Sequence, residues 1–296
     1  MFAHFEQLQS SIPTDTVKTL VVAAAHDEHT LEAVYHASNE LPLRYILVGD
    51  REKINKISSD LGRIPSSDAI IDGYDDADCA RKAVSLIREN AGDVLMKGFL
   101  ETGTLLKAVL DKDAGIRESE TMSHLAILEV PAYHKLIGVT DGGMIPAPTP
   151  EQKADIVRNT IGFYKRLSPL PLKCAALCAA ESVNPKIHDT LEAAQLQTMC
   201  EEGAFEDCLL EGPLSFDIAV NRESASIKGH PSKISGDTDV FLVPNITVGN
   251  ALCKGLIFWG GAKMAGCVLG AKTPIIVVSR GATAEEKFFS IMLCLK

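Results

Sequence analysis

Short apolar runs alternate with helix-period segments through the first hundred residues. Residues 19–25, 44–49, 69–72 and 93–98 have the length and β-branched content of strands buried on both faces. Each is followed by a segment in which apolar residues recur every three to four positions. These segments predict helices over 28–40, after a capping Asp50, over 75–90 and over 102–111. Such β-α repetition is the signature of a parallel sheet covered on both faces. After Ile116 the pattern changes. Residues 124–131 and 135–141 are strand-like with only three residues between them, which predicts an antiparallel hairpin. Alternation then resumes with a helix over 150–166, a strand over 172–180, a helix over 187–202 and a strand over 205–212. A strand at 239–244 precedes a helix starting near Thr247. Apolar runs at 265–271 and 274–278 precede a closing helix from about Thr283. The reading is an α/β protein with a second α/β domain inserted in the first: 1–118 plus 268–296 form a discontinuous parallel-sheet domain, and 119–267 the insert.

Composition narrows the function. The chain has 296 residues, 46% apolar and 23% charged, an ordinary globular balance long enough for two cores. A formal net charge of −10 argues against nucleic acid or an anionic membrane as partner. An anionic substrate must then meet a local cationic pocket. No apolar stretch of about 18 residues appears, and residues 1–11 contain Glu6 but neither a basic head nor an apolar core, so neither a membrane span nor a signal peptide is expected. The eight cysteines sit mainly in apolar runs and have no zinc spacing, which suits reduced buried thiols and a cytoplasmic location. His26-Asp-Glu-His29 lacks a third ligand at motif spacing and reads as a turn and helix start.

Four strand ends carry candidate chemistry. The run 274–278 delivers Ser279, Arg280 and Gly281 to a helix containing Glu285 and Glu286. In open α/β sheets ligands bind beyond the strands' carboxyl ends, where free helix amides and an arginine fork grip phosphate; a solvated arginine at a helix entry is the plain alternative. Lys97 and Gly98, followed by Thr102, Thr104 and Lys107, form a second glycine- and hydroxyl-rich junction able to cradle an anion, although its lysines equally suit the surface. It is not a Walker loop, and no Gly-x-Gly-x-x-Gly follows the first strand. Glu211-Gly-Pro-Leu-Ser-Phe-Asp217 and Val243-Pro-Asn245-Ile-Thr-Val-Gly-Asn250 complete the set; Asp217, Asn245 and Asn250 also suit caps and turns. Ser123 and His124 stand at the expected domain junction.

These motifs, with Ile234-Ser-Gly-Asp-Thr-Asp-Val-Phe-Leu, Gly261-Ala-Lys-Met-Ala-Gly266 and Val183-Asn-Pro-Lys186, occur in the order seen in the phosphate acetyl/butyryltransferase family. The resemblance covers nearly the whole chain and leans toward the butyryl branch. It implies two α/β/α domains like those of isocitrate and isopropylmalate dehydrogenases, with an active site in the cleft between them. It implies reversible transfer of a short acyl group between coenzyme A and inorganic phosphate in a ternary complex, without a covalent acyl-enzyme. Coenzyme A and phosphate are substrates, and no cofactor or metal is required. Ser279 would stand by the thiol sulfur and Arg280 would bind phosphate. Lys107 takes the place of an arginine in the acetyl branch, keeping the charge but losing the bidentate fork. The base position falls on Glu286; Thr283-x-x-Glu286 also matches a capping box, which would occupy that carboxylate and leave Glu285 as substitute. Lys97, Gly98, Thr102, Thr104, Lys107, Ser123, His124, Gly281, Asn245 and Asn250 are the substrate-binding candidates. A homodimer is expected from the family. The alternatives are a phosphate acetyltransferase, an acyl-carrier-protein:phosphate acyltransferase, or a silent coenzyme A- or phosphate-binding homologue.

Overall fold

The computed structural model describes residues 2–167, 171–278 and 282–296. In chain order, α1 (Phe5–Ser10) is followed by β1 (Lys18–Ala23), α2 (Glu28–Glu40), β2 (Leu43–Gly49), α3 (Arg51–Asp60), β3 (Ile70–Asp72), α4 (Asp76–Arg88), β4 (Val94–Lys97) and α5 (Thr102–Val109). The middle of the chain forms β5 (Ser123–Glu129), β6 (Ile137–Thr140), α6 (Pro150–Tyr164), β7 (Leu172–Leu177), α7 (His188–Glu201) and β8 (Cys208–Leu214). It continues with α8 (Phe216–Val220), α9 (Arg222–Ile227), β9 (Val240–Leu242), α10 (Ile246–Phe258) and β10 (Lys263–Leu269). The chain closes with β11 (Ile275–Ile276) and α11 (Ala284–Leu295). Two compact units divide it: Leu8–Glu120 with Ala265–Lys296, and Met1–Gln7 with Thr121–Met264.

In the first unit the strand order is β3-β2-β1-β4-β11-β10. β1 runs parallel to β2 and β4, and β11 parallel to β4. Leu20 to Ala23 are all fully buried, as a strand covered on both faces requires. Three aspartates start the helices that follow β1, β2 and β3: Asp27 accepts from the Thr30 amide, Asp50 from Lys53 and Asp75 from Asp78. The unit is not wholly parallel as expected. β10 and β11 pair antiparallel, Val268 opposite Ile275, because five residues between them allow a turn but not a parallel crossover, which needs about a dozen.

In the second unit the order is β5-β6-β9-β7-β8. The expected hairpin is present, β5 antiparallel to β6 from Leu125↔Thr140 to Leu128↔Ile137, and the remaining pairs are parallel. Leu128, Val139, Ala175, Leu214 and Phe241 meet in one core. The strand expected from residue 205 starts only at Cys208, since Gly203 (φ 87°) and Asp207 (φ 61°) hold the preceding turn in the left-handed region. At the edge of this core, Lys135 Nζ reaches Asp239 Oδ1 at 2.5 Å and Asp237 Oδ1 at 2.7 Å, and Lys173 also pairs with Asp237. Burial pushes the Asp237 carboxyl up, but hydrogen bonds from Lys135 and Lys173 outweigh it and hold the group well below the usual carboxylate range. Among the described residues, no helix is long and apolar enough to cross a membrane.

Candidate functional site

The carboxyl ends of β1, β4 and β11 lie side by side, and a cavity of about 430 Å3 opens there within the first unit. Lys97, Gly98 and Val278 line it, together with Asp27, Phe99 and Lys287. Lys97 ends β4 and is buried; its ammonium donates to the Gly98 and Leu100 carbonyls at 3.1 and 2.9 Å. Position 98 must be glycine because the chain passes against β1. A Cβ there would stand 2.3 Å from the Ala24 carbonyl oxygen and 2.7 Å from that of Ala23. Two of the expected binding residues thus share a cavity with the residue that directly precedes Ser279. Ser279, Arg280 and Gly281 lie outside the described residues.

The glutamates of α11 separate clearly. Thr283 caps the helix by accepting from the Glu286 amide at 3.1 Å, which is the first half of the expected capping box. The reciprocal bond, from the Thr283 amide to the Glu286 carboxylate, is not formed among the described residues. Glu286 is half-buried, and burial raises its pKa against the opposing charge of Lys287. Glu285 is exposed. A carboxylate lifted toward neutrality is the better general base.

The other candidates are more dispersed. Thr102 and Thr104 lie half-buried on the first turn of α5, and Lys107 is exposed in its last turn. In the second unit, Ser123 is fully buried on β5, where the Asn159 amide donates to its hydroxyl at 3.3 Å. His124, beside it, has its pKa lowered by burial, opposed by the charge of Asp141, and its Nδ1 is buried without a hydrogen-bond partner among the described residues. Asp141 is 1% exposed; its Oδ1 accepts from the Gly143 and Met144 amides at 2.8 Å each, and its Oδ2 has no hydrogen-bond partner among the described residues. Asn245 caps α10 by accepting from the Val248 amide at 3.1 Å, and Asn250 is exposed on that helix. The Glu211–Asp217 run is held by its own unit: Glu211 accepts from the Ser232 hydroxyl, Ser215 donates to Glu181, and Asp217 pairs with Lys228 at 3.0 Å. A larger cavity, about 700 Å3, adjoins that run beside β8. Its one lysine, Lys233, is accompanied by Glu181, Glu201 and Glu211, a poor setting for an anion, so the smaller cavity is the better candidate.

Sequence reasoning missed Lys287 and Asp141. A lysine directly before Phe288 and Phe289, in a helix mainly apolar beyond its first turn, was the available signal for the former. His26 and His29 flank a cap, Asp27, and the described residues contain no group of three or more His, Cys, Asp or Glu placed to hold a metal ion. All eight cysteines are free thiols and six are buried. Burial pushes Cys178 and Cys253 up to about 12 and raises Cys79, Cys174 and Cys208 as well.

Comparison with known proteins agrees with the motifs. The family model described as "Phosphate acetyl/butaryl transferase" matches residues 75–295. A probable phosphate butyryltransferase of Bacillus subtilis (strain 168) is 37% identical over 278 residues, covering 94% of this chain and 92% of that protein. A phosphate acetyltransferase of Thermotoga maritima is 37% identical over 276 residues, covering 93% and 94%. The crystal structure of a branched-chain phosphotransacylase from Enterococcus faecalis V583 aligns with a TM-score of 0.83 at 31% identity, over 94% of this chain and 98% of that one. With a family match over most of the chain and relatives alike across nearly their full length, the chain belongs to the phosphate acetyl/butyryltransferase family.

Proposed function

We propose that this protein is an acyltransferase that reversibly converts a short acyl-CoA, butyryl-CoA or a close relative, and inorganic phosphate into acyl phosphate and coenzyme A. Family membership supports the reaction. The observation that carries the site is the cavity shared by Lys97, Gly98 and Val278 at the parallel strands' carboxyl ends. Both substrates are anions and the protein is acidic overall, so buried lysine at this point supplies the local positive potential they need.

In the direction that makes acyl-CoA, Glu286 takes the thiol proton of coenzyme A. A free thiol has a pKa of about 8.5, so a base raises the thiolate fraction at neutral pH. The thiolate attacks the carbonyl of the acyl phosphate, the oxyanion that forms is stabilised by Ser279 and neighbouring amides, and the C–O bond to phosphate breaks. Arg280 holds the departing phosphate, which takes up the proton. In reverse, a phosphate oxygen attacks the thioester, the C–S bond breaks and the proton ends on sulfur. Lys107, Thr102, Thr104, Ser123, His124, Asn245 and Asn250 are proposed to contact the remainder of the substrates. The reaction requires no resident cofactor. A homodimer belongs to the same reading; the exposed Ile227, Phe258 and Trp259 of the second unit support it.

The test is coenzyme A-dependent consumption of butyryl phosphate by the purified protein. Arg280→Ala should reduce kcat/KM by about 10²-fold or more, and an unaffected variant would remove the proposed site. A panel of acetyl-, propionyl-, butyryl- and branched acyl-CoA substrates decides the chain length.

A further inference from the structure

The second unit brings two thiols together outside the proposed reaction. Cys200 lies in the last turn of α7 and Cys208 is the first residue of β8, on either side of the turn that joins them. The Cys200 thiol donates to the Cys208 carbonyl oxygen at 3.3 Å, and its sulfur also interacts with the Cys208 thiol. Both residues line the cavity of about 700 Å3 beside β8. Cys200 is half-buried and Cys208 is buried. Burial pushes the Cys208 thiol up, and the neighbouring Cys174 and Cys200 add to the effect. Cys174, the third sulfur nearby, is 2% exposed on β7 and is not among the residues lining that cavity. The described residues contain no group of three or more His, Cys, Asp or Glu placed to hold a metal ion, so the pair points to sulfur chemistry.

That chemistry is thiol–disulfide exchange, and access sets its order. The Cys200 thiolate, reached from the cavity, attacks a small disulfide RSSR, forms Cys200–S–S–R and releases RS−. Cys208 then attacks the Cys200 sulfur from within, closes the internal disulfide and expels the second RS−. Each leaving thiolate takes up the proton that its attacker lost. The net change is two protein thiols oxidised to one disulfide and RSSR reduced to two RSH. Reversal is harder. A thiol that attacks the accessible Cys200 sulfur must expel Cys208, and a raised pKa makes Cys208 a poor leaving group. The cavity favours a cationic disulfide, because Glu181, Glu201 and Glu211 line it against Lys233 as its one lysine, in a chain of net charge −10.

We propose that Cys200 and Cys208 form a dithiol site that a small cationic disulfide oxidises to an internal disulfide, joining the end of α7 to the start of β8. The inference goes beyond the acyl-transfer reading and does not rest on it. The experiment treats the folded full chain with cystamine, quenches with acid, and reads the intact mass and a non-reducing peptide digest. The mass should fall by two hydrogens with no cysteamine retained, and the linked peptides should be those that carry Cys200 and Cys208. Cys208→Ser should stop at the mixed disulfide, with cysteamine held on Cys200. Cys200→Ser should react at least about tenfold more slowly than the parent, since the sulfur reached from the cavity is gone. The proposal is overturned by a parent protein that retains cysteamine or links Cys200 to Cys174. It is equally overturned by a folded parent that stays unreacted where the urea-unfolded chain is modified, or by a Cys200→Ser protein that reacts at the parental rate. Should either serine variant not fold, the peptide map of the parent decides alone. Butyryl phosphate turnover plays no part in these readings, so neither result bears on the acyl-transfer assignment.

Discussion

Two adjacent glutamates on the first turn of α11 live in different media. Glu285 is exposed, whereas Glu286 is half-buried with its pKa raised. A base must be ionised to act, so kcat/KM should rise with pH along a limb lying above the ordinary carboxylate value of 4.5. Glu286→Gln should abolish that limb and lower kcat by about 10²-fold or more, while Glu285→Gln should leave both nearly unchanged. Equal losses from the two variants would contradict the assignment. The resemblance put the base position on Glu286, but the difference in burial was not legible in the sequence, because neighbouring residues on a first turn differ only in helical phase against a core that has no linear signature. The Thr283-x-x-Glu286 pattern even pointed the other way, since the spacing permits a box of which only one bond is made. Gly98 was readable as a turn residue, yet the oxygen 2.3 Å from its missing methyl comes from Ala24, the residue just after β1 and more than seventy positions away.

Elements were the most legible scale. Helix α2 falls on the residues its period predicts, and β1, β2 and β4 begin or end within a residue or two of their apolar runs. Local chemistry explains this, because caps and buried runs are written in consecutive residues. What escaped was pairing and short irregular structure: the antiparallel β10–β11 contact, and the helices α8 and α9 between β8 and β9. Helices of five and six residues span too few turns to show a period. At this scale Asn245 has two candidate roles, cap and substrate contact. Asn245→Ala removes the bond to the Val248 amide and should cost about 1 kcal/mol in a denaturation curve, with Asn245→Asp restoring the stability. If Asn245→Asp also restores a normal KM for coenzyme A, the residue acts as a cap. A KM that stays raised after stability returns marks a direct contact.

At the scale of the molecule, one half-buried cluster contributes to acid resistance. Asp237 has a folded-state pKa below its unfolded value of about 3.9. Its contribution is therefore complete above that value and is lost as the pH falls through the folded one. Asp237→Asn should destabilise the protein by about 2 kcal/mol at neutral pH, since it strips the buried Lys135 of one of its two carboxylates. The difference between variant and parent should close as the pH drops below about 4; a constant difference across that range would show that the aspartate's charge is not its source. Nothing in the sequence around Asp237 marks this cluster, because the two lysines that hold the aspartate lie far away in the chain, at positions 135 and 173. The silent cysteines carry a different consequence. A catalyst that handles thioesters risks having the acyl group captured by its own sulfur atoms. Burial keeps five of the eight protonated well past neutrality, so the sulfur of the incoming coenzyme meets little internal competition. For the same reason, a thiol-reactive dye added to the native protein will report the coenzyme released by turnover over a low background.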